Sequence, residues 1–342
     1  MKKDFSLTFI QVVCAIAVVT LHTNGCFWNF SATERYWITA NIIECICYYA
    51  IPVFFMITGI TLLDYPKRYS TGIYFKKRVE KTVLPYIIWS FIGIGFKLAI
   101  GKINWETISC KWIVNGLLST DKIVDYYWFF QPLFCVYLCI PLFAYIEKKK
   151  DVVDYIVLVG FIVNVLVPFL NNVLHLGLTW PYSVSVISGY LFWVWMGYKL
   201  YFYPPTKKQK IMIYIFALIG LLLHIVGTHV LSVKMGTIQS LYKGYVNLPC
   251  VLYSLGVFVF LRDVATWIQK SKKIEMIIET LGKYTFPLYL IHWFILCIRD
   301  DVVSIDTKSM IYRLFAPYII FMLVICFTWI LRKIPGVRKI VP

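Results

Sequence analysis

The chain has 342 residues, of which 60% are hydrophobic and only 15% are charged. Ordinary soluble domains hold about 45–50% and 25% of these two classes, so the composition excludes a soluble globular protein. The formal net charge of +17 would suit a nucleic-acid-binding protein, but the basic residues cluster in short segments between apolar runs, where they set membrane topology. We therefore expect an integral membrane protein without a nucleic-acid partner.

Ten apolar runs approach the roughly 20 residues that a helix needs to cross the ~30 Å hydrocarbon layer of a membrane. They cover about 5–27, 37–63, 83–100, 127–146, 152–173, 184–202, 211–231, 245–262, 283–299 and 311–331. The first run follows two lysines in the manner of a signal peptide, but it shows no convincing cleavage site. We interpret it as an uncleaved first helix. Pro52 in the second run indicates a kink or a tilt.

The basic residues alternate with these runs and thereby predict the orientation. With the N-terminus inside, most of the 34 lysines and arginines fall in cytoplasmic segments, and the opposite orientation would reverse this bias. We predict an all-α, polytopic membrane protein of ten transmembrane helices with both termini in the cytoplasm. The chain, 1–342, would form a single membrane-embedded domain, and the segment 264–282 should be an amphipathic helix on the inner membrane surface.

Ionisable side chains inside membrane spans are costly, so each one is a candidate for function. His22 and Gln11 lie on one face of the first helix, ~16 Å apart along its axis, unless they only hydrogen-bond neighbouring helices. Glu44 should lie at a depth similar to that of His22, where its carboxylate could orient the imidazole and raise its basicity. Alternatively, Glu44 faces a solvated outer cavity or pairs elsewhere. His292 lies mid-span in the ninth run and is either a second polar site or a structural residue.

Three further histidines are His175, His224 and His229. They lie in or near the outer half and could line a cavity for a substrate at the outer face. The histidines show no metal-ligand spacing, so we expect no metal site.

The inner segment 64–81 carries the strongest basic patch. Arg78 and Lys81 lie one helical turn apart, and together with Lys77 they could grip phosphate groups through charge-assisted hydrogen bonds. The alternative is that these residues only set topology and bind lipid headgroups.

Several motifs, in order along the chain, resemble the membrane acyltransferase-3 family. They are Gln11 to His22, Phe54 to Gly59, Phe75 to Arg78 through Pro85 and Tyr86, Trp128 to Phe130 with Pro141, Gly189 with Tyr190, and Tyr289 to His292. The resemblance covers nearly the whole chain and includes the ten-helix plan.

The resemblance implies transfer of an acetyl or another short acyl group from coenzyme A to a hydroxyl of a surface glycan or a lipid-linked sugar. It implies that His22 is essential and that Arg78 and Lys81 face the donor's phosphates. The family commonly has an arginine eleven residues before the histidine and an acid three residues before that arginine. Here Gln11 and Thr8 stand at these positions, which leaves donor binding at Gln11 open or shifts it to the basic pair.

We therefore expect a membrane-bound O-acyltransferase that depends on acetyl-CoA or another acyl-CoA, in the cytoplasmic membrane of a bacterium. Its partners would be the donor, the sugar acceptor and the membrane lipids. His22 would act as general base on the acceptor hydroxyl or carry the acyl group itself, with Glu44 orienting it. His292 and Trp128 are further candidates.

Two other functions are weighed against this one. A transporter or channel could use His22, Glu44 and His292 as a polar relay, although transporters often show internal repeats and paired broken helices, and the sequence shows neither. A sugar-transferring enzyme would call for larger loops and an acidic metal site. A test of coenzyme A binding would distinguish the acyltransferase from these alternatives.

Overall fold

The computed structural model describes residues 4–146, 148–302, 305–335, 337 and 340–341. This part of the chain contains helices and no strand, which confirms the all-α prediction. The α-helices are α1 Phe5–Thr23, α2 Arg35–Cys47, α3 Ala50–Leu62, α4 Thr71–Arg78, α5 Leu84–Ala99, α6 Cys110–Ser119, α7 Phe130–Ala144, α8 Lys150–Phe161, α9 Val167–Val173, α10 Gly189–Phe202, α11 Lys207–Leu222, α12 Thr228–Met235, α13 Leu248–Ile268, α14 Lys272–Leu281, α15 Thr285–Val302 and α16 Met310–Leu331.

Within the described residues, eight helical segments are long and apolar enough to cross a membrane. They are Phe5–Thr23, Arg35–Lys67, Thr71–Ala99, Asp125–Ala144, Lys150–Val173, Lys207–Met235, Leu248–Ile268 and Met310–Leu331. A ninth results if α14 and α15, which meet at a bend of 55°, count as one span.

The prediction of ten spans is therefore not confirmed, although a helix lies in each of the ten predicted runs. The run 283–299 counts only when α15 is taken together with α14. The run 184–202 does not count, because its helix α10 has only 14 residues. Such a helix is ~21 Å long and falls short of the ~30 Å hydrocarbon layer. The cytoplasmic location of both termini stays a prediction.

Several spans contain local breaks. The span Arg35–Lys67 is interrupted at Tyr48 and Tyr49, because Pro52 has no N–H to donate to the carbonyl of Tyr48. Turns of π-helix interrupt three other spans, at Val79–Val83, Ile162–Leu166 and Leu223–Gly227. Such turns often occur at functional sites.

The segment predicted as one amphipathic helix, 264–282, is two structures. Its first part continues α13 to Ile268, because Ala265 is fully buried and holds this stretch against its neighbours. The separate helix is α14, Lys272–Leu281, which has no buried residue. The prediction of one helix was wrong for residues 264–271, and the location of α14 on the inner membrane surface stays a prediction.

The chain divides into two compact units. The first unit comprises Met1–Leu63, Ile146–Gly282 and Asp306–Tyr318, and it therefore holds His22 and Glu44. The second comprises Asp64–Tyr145, Lys283–Ile305 and Ile319–Pro342, and it holds Arg78, Lys81 and His292.

Close helix packing in the first unit depends on glycine. A Cβ at Gly59 in α3 would collide with the backbone of Val194 in α10, and one at Gly197 in α10 would collide with the backbone of Met56 in α3. The two helices therefore pack backbone to backbone, as membrane helices with small interface residues do.

Candidate active site

His22 lies at the C-terminal end of α1. Its side chain is half-buried in the last turn of the helix, which Asn24 ends by donating its backbone N–H to the carbonyl of Thr20. A short 3-10 turn, Gly25–Trp28, follows directly. The backbone that carries the imidazole of His22 is therefore held by regular structure on both sides.

Glu44 forms a buried ion pair with Lys243. Its Oε1 lies 3.2 Å from Nζ of Lys243, and these two side chains are only 4% and 3% exposed. Asn24 donates from Nδ2 to the other carboxylate oxygen (3.4 Å) and to the carbonyl of Ala40 (2.9 Å). Because Asn24 follows His22 by two residues, this agrees with the similar depth expected for His22 and Glu44. That Glu44 orients His22 stays a prediction.

Aromatic rings surround the ammonium group of Lys243. Its Nζ lies 4.0 Å from the ring centroid of Tyr48, 4.7 Å from that of Trp28 and 5.1 Å from that of Phe27. Cation–π attraction thus adds to the ion pair in a place from which water is largely excluded. Lys243 comes from the loop between α12 and α13, which it fastens to α2.

Arg313 in α16 extends this polar network, and its side chain is only 1% exposed. Its Nη1 donates to Oδ1 of Asn24 (3.3 Å), and its Nη2 donates to Oγ1 of Thr39 (2.7 Å) and to the carbonyl of Lys308 (3.1 Å). We call Asn24, Glu44, Lys243 and Arg313 the outer network, after the membrane face at which the predicted topology places them. With Glu44 ionised, its two cations outweigh one carboxylate, so the network is electropositive.

His224 lies beside the outer network. The side chain is fully buried in the π-turn Leu223–Gly227, and its ring meets that of Tyr48 edge-on at 5.3 Å between centroids. Neither ring nitrogen has a hydrogen-bond partner among the described residues. Because an unsatisfied buried polar group costs about 1–3 kcal/mol, this imidazole is a candidate for a contact with substrate.

The neighbouring loop tyrosine, Tyr245, is half-buried. Tyr245 stacks on Tyr48 with 4.2 Å between ring centroids. Burial holds the pKa of the Tyr245 hydroxyl well above its usual range, so this group stays neutral and able to donate a hydrogen bond at physiological pH.

The other two outer histidines differ from His224 in exposure. His229 is half-buried and packs near Trp37, with 5.6 Å between ring centroids. His175 is exposed in a turn with a φ of 50°. Of the three histidines predicted to line an acceptor cavity, only His224 adjoins the outer network in these contacts.

The basic residues predicted to bind the donor lie in the second unit. Arg78 ends α4, and its guanidinium lies over the rings of Tyr74 (5.8 Å) and Tyr137 (5.5 Å). Its Nε is buried and has no hydrogen-bond partner in the described part of the chain. Lys81 is exposed in the π-turn Val79–Val83. Two cations thus lie close together in the chain here. Arg78 is held by packing against tyrosine rings, and Lys81 is exposed.

Lys77 adds a third cation to this surface. Its Nζ lies 4.0 Å from the ring centroid of Tyr69, so its position too is set by an aromatic contact. The three cations are compatible with a phosphate site and equally with lipid headgroups.

His292 and Trp128 also lie in the second unit. His292 is fully buried in α15, with Nδ1 2.8 Å from the carbonyl oxygen of Leu288 and its ring stacked on Tyr126 at 5.5 Å. Trp128 is half-buried in the 3-10 turn Asp125–Phe129. The contacts of His292 within its own helix favour the structural interpretation. Across the described residues, no cluster of three or more His, Cys, Asp or Glu side chains could hold a metal ion.

A family model described as an acyltransferase domain, that of the acyltransferase-3 family, matches residues 4–333. The chain belongs to the acyltransferase-3 family. The resemblance drawn from the motifs is thereby confirmed, and the many apolar helices fit a multi-pass membrane acyltransferase. No curated protein and no solved structure matches the chain.

Sequence reasoning missed most of the outer network of this acyltransferase-3 family member. Asn24 and Lys243 are polar residues in loops or at a helix end, where their partners depend on the tertiary fold. Arg313 carried a usable signal, because it is a charge near the start of the apolar run 311–331, and charges in such runs are rarely neutral to function.

The position that departs from the family pattern lies away from this network. Gln11 is half-buried on α1, and Thr8, one turn earlier, donates its hydroxyl to the carbonyl of Asp4 (3.3 Å). The carboxylate of Asp4 accepts a hydrogen bond from the hydroxyl of Tyr201. An acidic group is thus present at this end of α1, one turn before the family's usual place for it.

Proposed function

We propose that the protein transfers an acetyl or another short acyl group from acyl-coenzyme A, bound from the cytoplasm, to a hydroxyl of a cell-surface glycan or lipid-linked sugar at the outer membrane face. Membership of the acyltransferase-3 family supports acyl transfer to sugars. The single observation that carries the assignment to residues is the outer network, whose member Asn24 follows His22 by two residues. It is a rigid and electropositive group of buried side chains at the end of the helix that carries His22.

The chemistry proposed for His22 is proton transfer or acyl transfer. As general base, its imidazole takes the proton of the acceptor hydroxyl while the oxygen attacks the thioester carbonyl. The carbon–sulfur bond then breaks, and coenzyme A leaves as a thiolate that takes up the proton. As acyl carrier, the imidazole attacks the thioester carbonyl, the carbon–sulfur bond breaks and coenzyme A leaves as a thiolate. The acceptor hydroxyl then attacks the acyl-imidazole, the bond between the acyl group and the imidazole breaks, and the hydroxyl proton passes to the thiolate.

The outer network would assist either route. Negative charge develops on the carbonyl oxygen in the transition state, and preorganised positive groups stabilise such charge strongly where water is excluded. Lys243 and Arg313 are both buried and held by several partners, so they need no reorganisation. Glu44 holds Lys243 in place, and its carboxylate offsets one of the two positive charges of the network.

The donor's phosphates are assigned to Arg78 and Lys81, with Lys77 as a third cation. The tyrosine rings under Arg78 reduce the side-chain entropy that binding would otherwise cost. A contact between Gln11 and the donor stays a prediction.

Coenzyme A should stabilise the purified protein. At 100 times its dissociation constant, a ligand that binds only the folded state adds about 2.7 kcal/mol, which a thermal shift in detergent would register as a higher Tm. The double variant Arg78→Ala/Lys81→Ala should lose most of this shift, because charge-assisted contacts to phosphate dominate the binding of such groups.

Lys76→Ala is the matched control. Lys76 is a highly exposed cation on the same helix, and it pairs with Glu80 at 4.0 Å. The Lys76→Ala protein should keep the full shift. A wild-type protein that shows no shift, or a control that loses as much as the double variant, contradicts the donor assignment.

The transporter alternative gains no support from the contacts described above. It needs His292 as a relay group, and the Nδ1 atom of His292 contacts a carbonyl of its own helix.

A further inference from the structure

A cavity of about 460 Å³ lies in the first unit, where the π-turn Ile162–Leu166 and α9 meet the loop that leads to α10. Its volume is within the roughly 300–1,000 Å³ that is usual for small-molecule sites. Its lining combines two aromatic rings with amide and hydroxyl groups, and these are Asn164, Asn171, Asn172, Trp180, Tyr182 and Ser188. No charged side chain is among the described residues that line it.

The aromatic wall of this cavity is held in place by specific bonds. Trp180 donates its indole N–H to the carbonyl of Val163 (3.1 Å), which lies in the π-turn. Asn171 closes the loop from the other side, since its amide both donates to and accepts from the backbone of Leu178 (2.9 and 3.0 Å). The ring of Tyr182 packs edge-on against Trp180 with 5.0 Å between centroids.

Asn164 is one of the residues that line the cavity, and hydrogen bonds hold its amide in place. Its Oδ1 accepts from the hydroxyl of Ser183 (3.4 Å) and the backbone N–H of Val184 (3.3 Å), and these bonds fix the amide. Its Nδ2 is buried and has no partner among the described residues. Because leaving a buried donor unpaired is unfavourable, this amide gains a hydrogen bond if the wall shifts to present it to a sugar hydroxyl oxygen.

The cavity adjoins the outer network through one short stretch of chain. Val246 lines the cavity, and Lys243 of the outer network precedes it by three residues. An extended chain of three residues spans at most ~11 Å. Tyr245, between them, stacks on Tyr48, which also contacts the ammonium group of Lys243.

We propose that this cavity binds a neutral sugar ring of the acyl acceptor. Trp180 and Tyr182 would cover its apolar C–H face, and Asn164, Asn172 and Ser188 would bond its hydroxyls. A uronic acid or a phosphorylated sugar would find no cation among the described lining residues to offset the loss of hydration of its charge. That the sugar is the acyl acceptor rests on the proposed function. The occupancy of the cavity does not.

The proposal is tested by sugar binding without donor. Saturation-transfer-difference NMR on the full-length protein in detergent, with glucose, N-acetylglucosamine and glucuronate as probes, should give signals for at least one neutral sugar and much weaker signals for glucuronate.

Two variants of the cavity, Tyr182→Ala and Asn172→Ala, alter exposed side chains and should not impair folding. Each should weaken binding by roughly tenfold, the effect of about one good contact, and Trp180→Ala should weaken it at least as much.

Trp105→Ala is the matched control, because Trp105 is 78% exposed in another interhelical loop. If Trp180 and Tyr182 only anchored the protein at the membrane interface, pocket and control variants would behave alike. That result, or the absence of signal from both neutral sugars, overturns the proposal.

The outcome is separable from that of the proposed function. The His22→Ala protein should bind the neutral sugar normally while failing to acylate it. Sugar binding through the cavity without any acyl transfer refutes the proposed function alone. Acyl transfer with sugar binding that is indifferent to the cavity variants refutes the cavity alone.

Discussion

Replacing His22 with alanine is expected to slow acyl transfer by a factor of about 10²–10⁴, the usual contribution of a general acid–base group. The loss would be at least as large if the imidazole carried the acyl group. The protein should still fold, because His22 is only half-buried and lies in the last turn of α1. The measurement is transfer of labelled acetyl from acetyl-CoA to a sugar acceptor by purified protein, with Tm recorded for each variant.

His175→Asn is the control for this change. His175 is exposed and has a φ of 50°, a conformation that asparagine adopts readily, so transfer should be unaffected. A His22→Ala protein that retains activity would remove the basis of the catalytic assignment. Label that stays on the wild-type protein in the absence of acceptor would identify His22 as an acyl carrier, provided that it disappears in His22→Ala.

Replacing Lys243 with methionine is expected to lower the free energy of unfolding by about 3–5 kcal/mol, because it leaves the carboxylate of Glu44 buried without its cation. Both side chains are almost inaccessible, so solvent does not screen this effect. Methionine roughly keeps the volume within the aromatic cage. Denaturant unfolding in detergent measures the change.

Two comparisons separate the unpaired charge from simple loss of packing. The double variant Glu44→Gln/Lys243→Met should recover most of the stability, because no buried charge remains. Lys308→Met removes a lysine from an exposed pair with Glu34 (3.1 Å) and should change stability little. If Lys243→Met were no more damaging than Lys308→Met, the outer network would not be an important constraint on the fold.

The helices were largely predictable from the sequence, because apolar runs long enough for a bilayer have few other structures available to them. The predicted ends of the spans were less accurate than the predicted positions of the spans. The third run was placed at 83–100, but its span begins at Thr71. Lysine and arginine are good helix formers, so the helix continues through the basic segment that hydropathy assigns to a loop. The three π-turns have no sequence signature that we could read.

The candidate site was predictable only where a single helix fixes the geometry. The positions of His22 and Gln11 on α1 follow from helix rise and twist, and the depth of Glu44 follows from the span that contains it. The partners of Glu44 did not follow, since Lys243 lies in a distant loop and Arg313 lies on the last helix. Which loop residue reaches a buried carboxylate is decided by tertiary packing.

The central claim is that an acyl group taken from a donor on the cytoplasmic face reaches a hydroxyl on the other face through His22. Sealed vesicles with the protein in one orientation test it, with labelled acetyl-CoA on the face of segment 64–81 and sugar acceptor only on the opposite face. Acetylated sugar is expected with the wild-type protein, and at least about a hundredfold less with His22→Ala. Product that forms only when donor and acceptor share one face, or that forms equally well without His22, would contradict it.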